Sequence, residues 1–393
     1  MLLSATNIVK AKLINLWVVF DTIRMNSGIS RSRIADATGL SKQASSDLVD
    51  ELIAMQFVQE TKTAERRVGK PPTPLSINPD GAFSLGFHVD VGQMSAIVIN
   101  LAGDVLQRED RPLDDLEPQH AAIELDLAAK RLMAATQIPQ DRFLGIGLAT
   151  PGPFAVPGLS PPRLPGWDGL ALRGLLSTAT GFPVALANDG QCAIVAEWRF
   201  GEAARRLTNF VYVYFGIGLG SGVMIHSAAF GGASGNAGEI GHVTVVPDGH
   251  DCICGKRGCL ETYVSIDSAM RHLSAKGIEV ATMAEFATRF GPKDPDIEAW
   301  IAEAIEPLRN GLNAVENLFD PQSIMIGGNA PGWLIDTFMA RVEPLLPSVG
   351  RVERTLPRIM KSELGADAVA RGAAVLPLLA TLNPLYRELN PYV

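Results

Sequence analysis

No apolar run in this sequence approaches the ~20 residues that a membrane-spanning helix needs. The nearest imitation of a signal core, Leu13 to Phe20, is interrupted by Asn15, and no small-residue cleavage pattern follows it. A membrane partner is therefore not expected, and a cytoplasmic location is. Cysteine is scarce: four among 393 residues fit a reducing compartment, not a disulfide framework. An excess of positive charge is also missing, and a net charge of −8 argues against a uniformly basic nucleic-acid binder. There is no solenoid-type repeat, and no low-complexity segment beyond one proline-rich loop. What is present is a globular composition, 47% hydrophobic and 19% charged, long enough for two or three domains with substantial cores.

Charge is divided unevenly. Residues 1–79 carry ten Lys/Arg against seven Asp/Glu, whereas the remainder is strongly acidic. A mildly basic head on an acidic body suits an N-terminal module that meets phosphate. From Asn7 to Arg24 apolar residues recur at helical spacing (Ile8, Leu13, Leu16, Val19, Phe20, Ile23). Gly28 breaks that pattern, and Ser30 can cap a short helix over Arg31 to Ala37. Gly39 supplies a turn, Leu40 a plug, and Ser41 the cap of a second helix with apolar positions Ala44, Leu48, Leu52, Ile53 and Phe57. Two helices joined by a short glycine turn describe a helix-turn-helix. Ser41, Lys42, Gln43, Ser45 and Ser46, at the start of its second helix, are short or flexible groups suited to base edges and phosphates. A strand over Val58 to Thr61 and a basic, Gly/Pro-rich wing with Arg66, Arg67 and Lys70 follow, and such a wing can place cations in a minor groove. Double-stranded DNA is thus an expected partner.

Beyond a linker over Pro71 to Pro79, the chain reads as α/β. Phe83 to Val89, Met94 to Asn100 and Val105 to Glu109 form an antiparallel meander, turning at Gly92 and Gly103. A helix over Ala121 to Ala135 and a strand over Leu144 to Ala149 lead to a loop stiffened by six prolines between Pro151 and Pro165. A strand over Val184 to Ala187 runs into Asn188-Asp189 and a helix over Gly190 to Phe200. Asp189, at a strand end before a helix, is placed where α/β lobes expose functional groups. Phe210 to Phe215 opens a second lobe, and residues 297–318 form a long amphipathic helix.

The densest chemistry lies in Gly238-Glu239-Ile240-Gly241-His242 and the stretch from Cys252 to Glu261. Three of the four cysteines fall within eight residues, with a histidine just upstream. Thiolate and imidazole in that number fill the tetrahedral shell of a structural Zn²⁺ and leave no position open for catalysis. Cys192 reads as a small buried apolar residue.

The run from Gly232 to Ser265 resembles the signature of the ROK family (repressors, open reading frames and sugar kinases). The resemblance covers almost the whole chain and includes Ile29-Ser30-Arg31, Gly39-Leu40-Ser41 and Val68-Gly69-Lys70-Pro71-Pro72, which are similar to the winged-helix head of ROK repressors. It implies an N-terminal winged helix-turn-helix followed by a two-lobed ribonuclease-H-like (actin-like) sugar-kinase fold. The implied domains are 1–79 for the head, 80–190 with 375–393 for the first lobe, and 191–374 for the second, with its zinc loop. The resemblance implies His242, Cys252, Cys254 and Cys259 as zinc ligands, and Asn188, Asp189, Glu239, His242 and Glu261 as sugar contacts. One ring nitrogen of His242 can bind metal while the other donates toward a hydroxyl.

The phosphate side departs from the family's kinases. Asp90-Val91-Gly92-Gln93-Met94 stands where they read Asp-x-Gly-Gly-Thr, so Gln93 adds a Cβ beside the phosphate path and Met94 removes a hydroxyl. In Gly216-Ile217-Gly218-Leu219-Gly220-Ser221-Gly222, Ile217 takes the place of a threonine. Gly327-Gly328 resembles the adenosine-side turn and is compatible with retention for packing alone. Arg163 replaces an asparagine near the sugar, where a guanidinium favours an anionic ligand or faces solvent. The expected function is a sugar-responsive transcriptional regulator, a repressor of carbohydrate-utilisation genes, with a degenerate kinase body, no enzymatic activity, structural Zn²⁺ and a monosaccharide effector. Two heads on a pseudo-palindrome require a homodimer or a dimer of dimers. The alternative is an ATP-dependent sugar kinase that keeps a DNA-binding head, with Asp189 as the catalytic base.

Overall fold

The structure is a computed structural model and describes residues 8–61, 73–113, 115, 117–350 and 355–392. Its head begins with α1 (Ile8–Met25), α2 (Arg31–Thr38) and α3 (Lys42–Ala54). Gly39 ends α2 in the left-handed region, φ 71°, and returns its N–H to the Ala35 carbonyl, the turn that glycine makes without strain. Ser41 caps α3 by accepting from the Ala44 N–H at 3.2 Å. Ser30 stands at the start of α2 without capping it; its hydroxyl lies 3.2 Å from that of Ser32. Part of the expected linker, Leu75–Ile77, is a strand. β1 (Val58–Glu60) pairs antiparallel with β2 (Leu75–Ile77), and the segment between them, which holds Arg66, Arg67 and Lys70, lies outside the described residues.

The first lobe runs β3 (Phe83–Asp90), β4 (Gln93–Asn100), β5 (Val105–Pro112), α4 (Pro118–Thr136), β6 (Phe143–Ala149), α5 (Gly169–Thr180) and β7 (Val184–Ala187). Its sheet has the order β5-β4-β3-β6-β7, with β3, β6 and β7 parallel. Period-2 alternation sorts β3 between two layers. Phe83, Leu85, Phe87 and Val89 pack with α4 and α5, while Ser84, Gly86, His88 and Asp90 face the other way.

α6 (Asp189–Phe200) leads into the second lobe: β8 (Phe210–Phe215), β9 (Leu219–Ile225), β10 (Ala228–Ala229), α7 (Ile266–Ser274), α8 (Met283–Arg289), α9 (Pro295–Phe319), β11 (Ile324–Gly327), α10 (Gly332–Val342) and β12 (Ile359–Lys361). Its sheet has the order β10-β9-β8-β11-β12. Val211, Val213 and Phe215 point toward α7–α10, while Phe210, Tyr212 and Tyr214 point toward α6. α11 (Ala368–Leu382) and α12 (Pro384–Leu389) close the chain. α11 lies against the first sheet and α6, so these two helices form the layer between the lobes. The window 365–382 corrects the expectation that no run nears membrane-spanning length: it is the one stretch among the described residues apolar and long enough to cross a bilayer, and the fold uses it as a core helix, 67% buried. Leu16, Trp17, Val19 and Phe20, from the segment that imitates a signal core, likewise lie in the head's core.

Head and body share one apolar core, which runs from Phe20, Leu48 and Leu75 through Ile99 and Trp198 to Leu376. Their joint carries charge as well. Arg24 donates to the Arg199 carbonyl at 3.1 Å and lies 5.0 Å over the Trp198 ring, while Arg199 lies 5.5 Å over Phe20. Asp21 pairs with Arg24 at 2.7 Å and stands 3.9 Å from Arg199. Burial, together with the neighbouring Arg24, brings Arg199 down to about 9 against the opposing pull of Asp21.

Candidate functional site

Between β9 and α7 the chain has little regular structure and is held by local bonds. Cys252 donates its N–H to the Lys256 carbonyl at 2.9 Å, and Thr244 bridges to Cys259. Gly258, at φ 75°, passes so close to the Val246 carbonyl that a Cβ would fall 1.6 Å from its oxygen. These turns gather one atom each from His242, Cys252, Cys254 and Cys259 to within 4.8 Å of one another. The Cys254 and Cys259 sulfurs are 3.6 Å apart, and the Cys252 sulfur is 3.5 Å from His242 Nδ1. Tetrahedral Zn²⁺ with ordinary bond lengths requires separations of ~3.8 Å between sulfurs and ~3.6 Å between sulfur and nitrogen. The quartet fits that ion, and ligation through Nδ1 leaves the other ring nitrogen of His242 for the cleft it lines.

That cleft lies between the two lobes and is lined from both, by Asp90, Asn188 and Asp189 on one side and Gly218, Glu239 and Glu261 on the other. Asn188, Asp189, Glu239, His242 and Glu261 all line it, so the structure brings the five expected sugar contacts together. β7 delivers Asn188 and Asp189 at its end; Asn188 caps α6 by accepting from the Gln191 N–H at 2.8 Å. Glu261 follows directly on the cysteine loop and accepts from the Leu219 N–H at 2.9 Å. Burial first, then Glu261 and Asp189, push Glu239 up to about 7, and burial likewise pushes Glu261 up to about 7 against the Leu219 bond.

Five buried polar atoms in and beside this cleft have no hydrogen-bond partner among the described residues: Thr150 Oγ1, His88 Nε2, Asp189 Oδ1, Tyr214 Oη and Asn329 Oδ1. Buried groups of this kind are normally satisfied, and several in one place mark a site shaped for a polar ligand or ordered water. The sequence reading missed His88 and Tyr214. The one available signal was a histidine among the apolar residues of β3.

The phosphate side is differently arranged. Met94 is buried in the first lobe's core, and Ile217 packs into the second lobe's core while lining the cleft. Asp90 accepts from the Asn329 amide at 2.8 Å and from the Val91 N–H at 2.7 Å. Gly327 is required by packing, since a Cβ there would meet the Tyr212 hydroxyl at 2.2 Å. Arg163 donates to Asp267 at 2.7 Å, and Asp267 also pairs with Arg271 at 3.1 Å, so one carboxylate answers two guanidinium groups.

On the head, Ser41, Lys42 and Gln43 are exposed, and Gln43 donates to Asp47 at 2.7 Å. Ser46 is half-buried, with its hydroxyl and carbonyl each 3.2 Å from an Arg31 nitrogen. Ser45 corrects the reading of α3. The buried stripe is Ser45, Leu48, Val49 and Leu52, so Ser45 has no exposed surface and cannot reach a base edge. A small residue there lets α2 approach, with the hydroxyl 3.5 Å from the Arg31 carbonyl.

The ROK family model matches residues 86–379. The xylose repressor of Caldicellulosiruptor bescii is 29% identical over 337 residues, 81% of this chain and 84% of the relative. A crystal structure of a ROK family transcriptional regulator, a homolog of the E. coli MLC protein, superposes with a TM-score of 0.73 at 25% identity, covering 94% of this chain and 96% of that one. The ROK hexokinase from Thermus thermophilus superposes with a TM-score of 0.60 at 29% identity, but 99% of it accounts for only 76% of this chain.

Proposed function

This chain belongs to the ROK family, and from that premise we propose that it is a sugar-responsive, DNA-binding transcriptional repressor of carbohydrate-utilisation genes. Its kinase-like body senses a monosaccharide without phosphorylating it. The observation that carries this reading is α6. The helix is about 18 Å long at ~1.5 Å per residue, and every residue from Asp189 to Arg199 is buried. Asp189 lines the ligand cleft at one end, and at the other Trp198 and Arg199 dock the DNA-binding head. Gly190 and Gly222 bring α6 backbone to backbone with β9, where a Cβ on Gly222 would meet the Gly190 carbonyl at 2.1 Å. Ligand that draws the lobes together thus acts on the element that sets the head's position. Coupling of this kind requires a different sugar affinity in the DNA-bound and free states, typically by a factor corresponding to ~1–3 kcal/mol.

In the same proposal Zn²⁺ is held by His242, Cys252, Cys254 and Cys259 and fixes the loop that aims His242 and Glu261 into the cleft. The division at 1–79, 80–190 with 375–393, and 191–374 keeps each sheet in one unit, but its boundaries at 190/191 and 374/375 cut through α6 and α11, which lie between the lobes. A homodimer or dimer of dimers in the cytoplasm presents two heads to an operator, with Ser41, Lys42, Gln43 and Ser46 on its DNA face and Arg66, Arg67 and Lys70 in the wing. A thermal-shift screen of monosaccharides, aminosugars and sugar phosphates, with D-xylose first because of the named repressor relative, tests the sensor. Ligand that binds only the native state raises stability by RT ln(1 + [L]/Kd), so even millimolar binders register. No stabilisation by any sugar contradicts the reading. Asp189 is the observation that favours the second reading, a kinase. Turnover of about 1 s⁻¹ or more with MgATP, abolished by Asp189→Ala, would establish it.

A further inference from the structure

His88 lies outside every residue set considered for sugar, metal or DNA, yet it sits directly behind the ligand cleft. Its Nε2 is 3.3 Å from Oδ1 of Asp189, and both side chains are almost wholly buried. The approach is not aligned as a hydrogen bond, and neither atom has another partner among the described residues. Asp90 stands two residues along the same face of β3. Burial alone would lower the His88 imidazole, but Asp189 and then Asp90 hold it above its ordinary value. Burial raises Asp189 against the opposing influence of His88.

A buried histidine without an aligned partner destabilises a strand whose other positions are mostly apolar. Its neighbours across the sheet are Ser95 and Ala149. The residue therefore earns its place through something other than packing. We propose that His88 is a positioning residue of the ligand cleft, holding one oxygen of Asp189 so that the other faces the ligand's hydroxyls as an acceptor. The contact is loose without ligand and tightens when hydroxyls engage the carboxylate, as apo-site hydrogen bonds commonly do. This inference rests on reading the cleft as a monosaccharide site.

The test is calorimetric titration of D-xylose, D-glucose and D-mannose into the zinc-loaded full chain. For the sugar that binds, His88→Leu should weaken affinity by about tenfold or more, while His88→Gln, which keeps an N–H donor, should stay within about threefold. In an Asp189→Asn background, His88→Leu should cost nothing further, because the residue acts through that carboxylate. In ligand-free protein, Asp189→Asn should lower the pKa of the His88 ring read by imidazole ¹⁵N resonances, a readout that holds even if His88→Leu folds poorly. Wild-type affinity in His88→Leu, equal losses in the Leu and Gln variants, or full additivity with Asp189→Asn would each overturn the proposal. A His88 resonance indifferent to Asp189→Asn would do so while leaving the sugar reading intact. A wild type that binds none of the three, nor any sugar of the wider thermal-shift screen, would overturn the sugar reading and this inference with it; where only another sugar of the screen binds, the same titrations are made with it.

Discussion

On one side of the cleft, Asn188, Asp189, Glu239, His242 and Glu261 converge from a strand end, a short turn and the cysteine loop. On the other, the positions where kinases of this family place phosphate-binding groups hold Met94 and Ile217, buried in the two lobes' cores, and Asp90 is tied to Asn329. In the first half Asp189 keeps a buried oxygen without a hydrogen-bond partner, a cost that a bound hydroxyl would offset. The second converts its positions into packing and internal hydrogen bonds. Recognition of hydroxyls needs converging acceptors, whereas phosphoryl transfer depends almost wholly on positioning and charge neutralisation. A fold can therefore keep the first capability without the second, and the proposed sensor rests on that difference.

The contrast is broken most severely through the cysteine loop. Cys254→Ser should reduce bound metal from about one ion per chain toward zero and weaken sugar affinity by about 100-fold or more, because the loop aims His242 and Glu261. Metal analysis that finds equal zinc in wild type and variant would remove the assignment. Next in size is Glu239→Ala, expected to lower sugar affinity ~10- to 100-fold while operator affinity stays near normal, so that DNA binding no longer responds to ligand. A variant that still responds like wild type would place the sensor elsewhere.

At the far end of α6, Asp21→Asn leaves Arg24 and Arg199 without their shared carboxylate. It should cut the ligand response of operator binding at least ~threefold, with sugar affinity changed by less than about threefold. An undiminished response would mean that the head is not coupled through this joint. The smallest expected effect is that of Lys42→Ala on the exposed start of α3. Operator affinity should fall by about threefold and the slope of log K against log salt by ~1, with sugar affinity intact. An unchanged slope would remove Lys42 from the DNA face.

Features encoded locally were legible in the sequence. The three cysteines and His242 lie close along the chain, strand ends such as Val184 to Ala187 are bounded by turn residues, and Gly39 with Ser41 spells out a turn and a cap. Features that depend on a distant partner were not. His88 acquires its meaning from Asp189, and Arg163 is paired with Asp267, neither of them nearby in sequence. β2 was hidden in a proline-rich stretch because fourteen residues of chain separate it from its partner β1. α5 follows a loop of prolines and glycines that masks its stripe, Leu172 and Leu176. Ser45 was misread because a polar side chain does not reveal that it falls on the buried stripe of α3.

The central claim is that the cleft reports its occupant to DNA. Its most direct test uses a duplex selected from random sequence by the ligand-free, zinc-loaded protein. The affinity of wild type for that duplex is measured at fixed salt, with and without saturating sugar. The account predicts a change of ~5- to 150-fold. Identical affinities, with the sugar shown by calorimetry to occupy the cleft, would contradict it.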